Sequence, residues 1–270
     1  MIAALDFEQP FPFGAILVPP VRLAAGRLYF RPKGPLHPAN GQPERLVFDF
    51  AGLSEASEKA FLEFSRKWGA LGICPHGTTL HHRSPPCLHL VGDELVEPIA
   101  GWRGRARYVR STLNIRTALN RGQTGSSADW RVVWPGSAPK ERSAAAAALG
   151  LVASTFLSEM NAQPILQCVD QRLTFTFIGG KFPTLLKAMT GSKEIAPWLS
   201  SSGTLLAEIA VRTALALQEG AGWAICSNPE CRRLYRPRRH VAEGRLHFCN
   251  NCGKRASWRL SKRRKSAGVS

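Results

Sequence analysis

The chain has 270 residues, 44% of them hydrophobic, which is enough for one large or two unequal domains with a proper core. Lys and Arg number 36 against 19 Asp and Glu, and the resulting net charge of +17 points to a polyanionic partner. No apolar run reaches membrane-span length, no basic-then-apolar leader opens the chain, and seven cysteines are an odd number; these features speak for a soluble cytoplasmic protein and against a membrane partner or a disulfide framework.

Residues 1–50 are rich in Pro, Phe and Gly. Ile16-Leu17-Val18, Arg27-Leu28-Tyr29-Phe30 and Arg45-Leu46-Val47-Phe48 read as short strands or extended packing segments, and Arg31 to Pro43 as a loop. Residues 54–70 predict an amphipathic helix. Ser54 is its expected N-cap, Ala56, Ala60, Phe61, Phe64 and Trp68 its buried stripe, and Gly69 its end.

A Pro- and Gly-rich stretch follows. Cys74, His76, His81, His82, Cys87 and His89 fall within sixteen residues, and Cys-x-His occurs twice. All are metal-ligand types, so a second metal site is a candidate here, with Cys74, His76, His81, Cys87 and His89 as its ligands. The spacing matches no standard zinc motif, and a surface loop with incidental His and Cys is the favoured reading. A catalytic Cys–His pair lacks an orienting third group and an oxyanion hole.

Residues 93–121 predict a helix with Trp102, Ala106, Val109 and Leu113 buried. Arg103, Arg107 and Arg110 lie on the adjacent face; they could touch phosphate, but a solvated or salt-bridged row is the favoured reading. Residues 122–136 read as a Gly/Ser loop. Ser137 then caps a helix running to about Met160, packed through Leu149, Val152, Phe156 and Leu157. Ile165 to Val169 and Leu173 to Ile178 predict a β-hairpin around Asp170-Gln171-Arg172, with Cys168 a small core residue in its first strand. Gly179-Gly180 is a turn, Phe182 to Met189 a short helix, and Thr204 to Gln218 a longer helix buried on more than one face.

The C-terminal stretch carries the chemistry. Cys226-x4-Cys231 and Cys249-x2-Cys252 are separated by seventeen residues. Two close thiol pairs can each supply half of a closed tetrahedral Zn²⁺ shell, and four sulfurs leave no open position for a catalytic water. Gly253 is expected to let the backbone bend after the second pair, and Lys254 to Leu260 to run as a helix. Knuckle, a hairpin around Tyr235 to Phe248, and a helix from the last ligand pair describe a treble-clef-like finger. From Cys226 onward there are thirteen Lys or Arg against two Glu, a local net of +11. Arg255, Arg259, Lys262 and Arg263 share one helical face and are the candidate nucleic-acid contacts. Trp258 is expected to pack against the finger, with base stacking as its alternative.

At these residues the chain resembles the CGNR-type zinc fingers of bacterial proteins: a Cys pair, a basic spacer, then Cys-x2-Cys-Gly-Asn-Arg leading into an Arg-rich helix. Here the tetrad is Cys252-Gly253-Lys254-Arg255, with Lys in place of Asn, and the spacer is longer than usual for the family. The resemblance implies a DNA-binding transcriptional regulator of the stress-response or regulatory kind, its finger at the end of a larger N-terminal domain.

The expected architecture is therefore α+β: a mixed helix-and-strand domain over 1–222, a sensor or interaction domain with a small-molecule or protein partner, and a zinc finger with a basic helical tail over 223–270. Duplex DNA is the expected partner and structural Zn²⁺ the expected cofactor. The alternatives are an RNA-binding protein, in which Trp258 and Tyr235 serve single strands, and an enzyme or protein-interaction module whose finger is only a docking element. No paired carboxylates, catalytic triad or cofactor loop stands out, which lowers the enzyme reading.

Overall fold

Helices and strands intermix along the chain, and a computed structural model gathers them into two compact units, Met1–Arg110 with Gly150–Leu215 and Ser111–Leu149 with Ala216–Ser270. It describes residues 16–31, 34–42, 45–73, 90–159, 163–169, 172–178, 196–218, 224–226, 228, 234–235, 237 and 247–253. The architecture is α+β. The second unit groups residues 111–149 with residues 216–270.

In the first unit, β1 (Leu17–Val18) pairs with β4 (His37–Pro38), so a short strand interrupts the loop expected over Arg31 to Pro43. An antiparallel sheet combines β2 (Val21–Ala24), β3 (Arg27–Phe30), β5 (Leu90–Val91) and β6 (Glu94–Pro98) in the order β2-β3-β6-β5. Ala25 and Gly26 both take positive φ, 47° and 68°, which is the backbone a tight two-residue hairpin needs. Arg45 to Phe48 is not a strand: α1 spans Leu46–Gly52 and buries Leu46, Val47, Phe50 and Ala51. Its β-prone residues are held helical by burial of one face, which outweighs propensity.

The next helix, α2 (Glu58–Trp68), begins a turn later than expected, with Ser57 at the cap position. Ser54 is buried in a 3-10 turn (Leu53–Glu55), where its hydroxyl accepts from Arg110 Nη1 at 3.0 Å, and Ala56 is extended. Gly69 ends the helix at φ 96°, its N–H donating to Ser65 O. Helix α3 (Ile99–Asn120) follows β6 directly and buries the stripe read from sequence. Trp102 is its anchor, with the rings of Phe30, Phe50, Phe61 and Phe64 at 5.9–6.5 Å.

Glu97 is fully buried beside this cluster. Its carboxylate accepts from Trp102 Nε1 at 2.7 Å and from the backbone N–H groups of Leu71, Gly72 and Ile73 at 3.2, 2.6 and 3.2 Å. Burial pushes this carboxyl up to about 7, against the pull of those four N–H donors. The β7–β8 hairpin forms as read, Gln163–Val169 against Arg172–Ile178, with Cys168 opposite Leu173. Helix α6 (Ala196–Gln218) starts earlier than Thr204. Its buried Glu208 pairs with Arg212 one turn on. The predicted Phe182 to Met189 helix and the Gly179-Gly180 turn lie outside the described residues.

The second unit takes the C-terminal half of α3, then α4 (Ser127–Val133) and the start of α5 (Arg142–Glu159). The loop expected over 122–136 thus contains a helix. Ser126 caps it, its hydroxyl accepting from Asp129 N at 3.0 Å, and Asn114 Nδ2 donates to Asp129 Oδ1 at 2.9 Å, tying α4 to α3. Buried Trp130 donates through Nε1 to Thr124 O at 2.7 Å. Helix α5 starts at Arg142 rather than after Ser137, its first turn closed by Ala145 N donating to Glu141 O.

Candidate metal centre

The centre is built at a hairpin and a helical turn. β9 (Ala224–Ile225) pairs antiparallel with β10 (Leu234–Tyr235), and Cys226 is the residue that follows β9. Cys249 immediately precedes a helical turn over residues 250–253, in which Gly253 N donates to Cys249 O at 2.7 Å. Cys249 and Cys252 stand three apart on that turn, so both thiols face the same side. Gly253 closes that turn and is itself helical, without a left-handed φ.

Cys226, Cys249 and Cys252 are buried to 2, 5 and 9% exposure, and their sulfurs all lie within 4.8 Å of one another. Sulfurs that share one zinc at about 2.3 Å stand roughly 3.8 Å apart in a tetrahedron, so the three thiols fit a common ion with a small contraction. Tyr235 and Phe248 pack against the cluster and form its apolar wall. Asn228 Nδ2 donates to Cys252 Sγ at 3.4 Å, a contact that holds this candidate ligand sulfur in place.

Burial pushes the Cys226 thiol above its ordinary value, the backbone N–H groups of Cys249 and Asn228 pull it back, and the neighbouring Cys252 and Cys249 thiols push it further up. Crowded, desolvated thiols resist ionising together; a divalent cation supplies the charge that makes them thiolates. Tyr235 is likewise raised, by burial first and then by Cys226, while Arg121 opposes the shift.

Three of the four predicted zinc ligands are therefore brought together. Cys231 lies outside the described residues, as do Arg255, Arg259, Lys262, Arg263 and Trp258. The second candidate cluster, Cys74, His76, His81, His82, Cys87 and His89, also lies outside them. The arginine row on α3 is largely engaged within the protein: Arg103 Nη2 donates to Ala56 O at 3.1 Å, Arg110 pairs with Glu55 at 3.3 Å, and Arg107 is exposed. Asn228 and Phe248 were missed by sequence reasoning; the available signal was position alone, since each sits within two residues of a ligand cysteine. No helix among the described residues is long and apolar enough to cross a membrane. The chain matches no known protein family, no curated protein and no solved structure.

Proposed function

We propose that Cys226, Cys249 and Cys252, with Cys231 as fourth ligand, hold one structural Zn²⁺, and that the treble-clef-like module so formed binds duplex DNA as part of a transcriptional regulator. The observation that carries the reading is the burial of three thiols within 4.8 Å of one another, in a stretch with a local net charge of +11. A module this small buries too little apolar surface to hold itself; zinc replaces the missing core, and the excess charge goes to phosphate. The resemblance to CGNR-type fingers supports duplex DNA as the target, and the helical spacing of Arg255, Arg259, Lys262 and Arg263 supports these as its contacts.

Electrophoretic shifts with duplex DNA, single-stranded DNA and RNA test this. The expected result is a duplex shift that is lost on zinc chelation. With about four phosphate contacts, log K should fall against log salt with a slope of roughly −3 to −4. A shift with RNA alone assigns the module to RNA instead. No shift with any of the three refutes nucleic-acid binding and leaves the module a docking element.

A further inference from the structure

The three buried thiols come from two places in the chain, and N–H donors cross between them. Cys226 follows β9, whereas Cys249 precedes, and Cys252 lies in, the helical turn over residues 250–253. Asn228 reaches both places. Its backbone N–H donates to the Cys226 sulfur two residues back, and its Nδ2 donates to Cys252 Sγ at 3.4 Å. From the other segment, the backbone N–H of Cys249 donates to the Cys226 sulfur. Two of these three contacts cross between the segments. Any residue but proline at position 249 could supply the backbone donor, whereas the Asn228 amide depends on the identity of the side chain.

The direction of the contacts matters. All three run from N–H to sulfur, and a thiolate accepts such a bond far better than a thiol does. They therefore favour the form that binds metal. Burial and the apolar wall of Tyr235 and Phe248 act the other way, because they disfavour charge. Four thiolates about one divalent ion make a doubly negative centre, and the half-buried Asn228 points a neutral donor at it. Pro229 is the next residue in the sequence. A residue before proline is disfavoured in the helical region, which narrows the backbone choices of Asn228 before any metal binds.

We infer that Asn228 is a positioning residue for the metal: it staples the hairpin half of the cluster to the helical half through two sulfurs, and its side-chain amide sets how tightly the ion is held and how electron-rich the Cys252 sulfur is. The inference rests on the metal reading above and assigns the group that acts behind the ligands.

The test uses the full chain, stripped of metal under reducing, oxygen-free conditions, titrated with Co²⁺ and then competed with Zn²⁺. Asn228→Ala removes the amide and keeps the backbone N–H. Asn228→Asp keeps the size but turns the donor into a negatively charged acceptor. Partners behind metal ligands are worth about 10–100-fold in affinity, so Asn228→Ala should weaken zinc binding by about that factor and Asn228→Asp by more. A side chain that only fills space predicts the reverse order, with Asp close to wild type and Ala the weaker. Asn251→Ala removes an exposed amide beside Cys252 and should change nothing.

The cobalt spectrum gives a second readout. A hydrogen bond to sulfur stabilises the electrons that the sulfur-to-cobalt charge-transfer band excites, so Asn228→Ala should move that band to longer wavelength. Weaker binding with the band unmoved makes the role structural and overturns the assignment. So does a variant that takes up no cobalt at all, since Asn228 is then needed to fold the turn. Asn228→Ala within about twofold of wild-type affinity, or Asn228→Asp as tight as wild type, overturns the inference and leaves the metal reading standing. A wild type that takes up neither ion removes both.

Discussion

Gly125 joins α3 to α4 in the second unit, and its replacement by Ala has a cost that can be worked from the structure. Its φ is +94°, outside the regions an L side chain adopts readily. A Cβ there would stand 3.1 Å from Trp130 Nε1 and 3.2 Å from Ile115 Cγ1. Neither neighbour can give way freely, since both are fully buried and Trp130 Nε1 is held by Thr124 O at 2.7 Å. The backbone conformation costs about 1–3 kcal/mol and the overpacking about as much again, together about 2–6 kcal/mol. That is a large share of a domain stability of about 5–15 kcal/mol. Equilibrium urea unfolding, followed by tryptophan fluorescence, should show the midpoint falling by about 1–3 M at unchanged m. The same substitution at Gly150, on the exposed side of α5 with nothing within 4 Å of its Cβ, should stabilise by about 0.4–1 kcal/mol. A Gly125→Ala variant within about 0.5 kcal/mol of wild type would refute the reasoning, because surface changes with no mechanism behind them fall in that range.

Ala25→Asn should raise stability by about 1 kcal/mol in a thermal melt, because Ala25 holds a φ of 47° that Asn adopts more readily. Ser126→Ala removes the hydroxyl that caps α4 and should cost about 1 kcal/mol by the same measurement. For Glu97 the sign follows from its raised proton affinity. Between its ordinary 4.5 and about 7, the folded chain keeps a proton that the unfolded chain releases. Its contribution is therefore full below pH 4.5 and is lost as pH rises through about 7, by up to roughly 3 kcal/mol. The stability difference between wild type and Glu97→Gln should accordingly be larger at pH 5 than at pH 8, and a flat difference contradicts it.

Periodicity made the α2 and α3 stripes legible, because Phe61, Phe64, Trp68, Trp102, Ala106 and Val109 recur at helical spacing and are all buried. The β7–β8 hairpin was legible from two β-prone runs around a short polar break. Helix α1 was not, since Leu46-Val47-Phe48 favours a strand by propensity, and only burial against other elements makes it helical. Helix α4 hid in a Gly/Ser stretch, where Ser126 proved to be a cap and not a loop residue. At the cysteine cluster, spacing named the three thiols that the fold brings together, because ligand geometry constrains sequence directly. Asn228 could not be named that way, because any polar residue in the turn would have looked the same. Glu97 likewise reads as an ordinary strand carboxylate; only the fold brings three backbone N–H groups and an indole to it.

The account stands on a metal held by the cysteine cluster, and native mass spectrometry of the full chain tests it most directly. The expected result is one zinc per chain, its bound mass showing Zn²⁺ in place of protons. Replacing Cys226, Cys249 and Cys252 together by Ser should abolish the zinc-bound species. A wild-type chain purified without zinc, or a triple variant that retains it, contradicts the account.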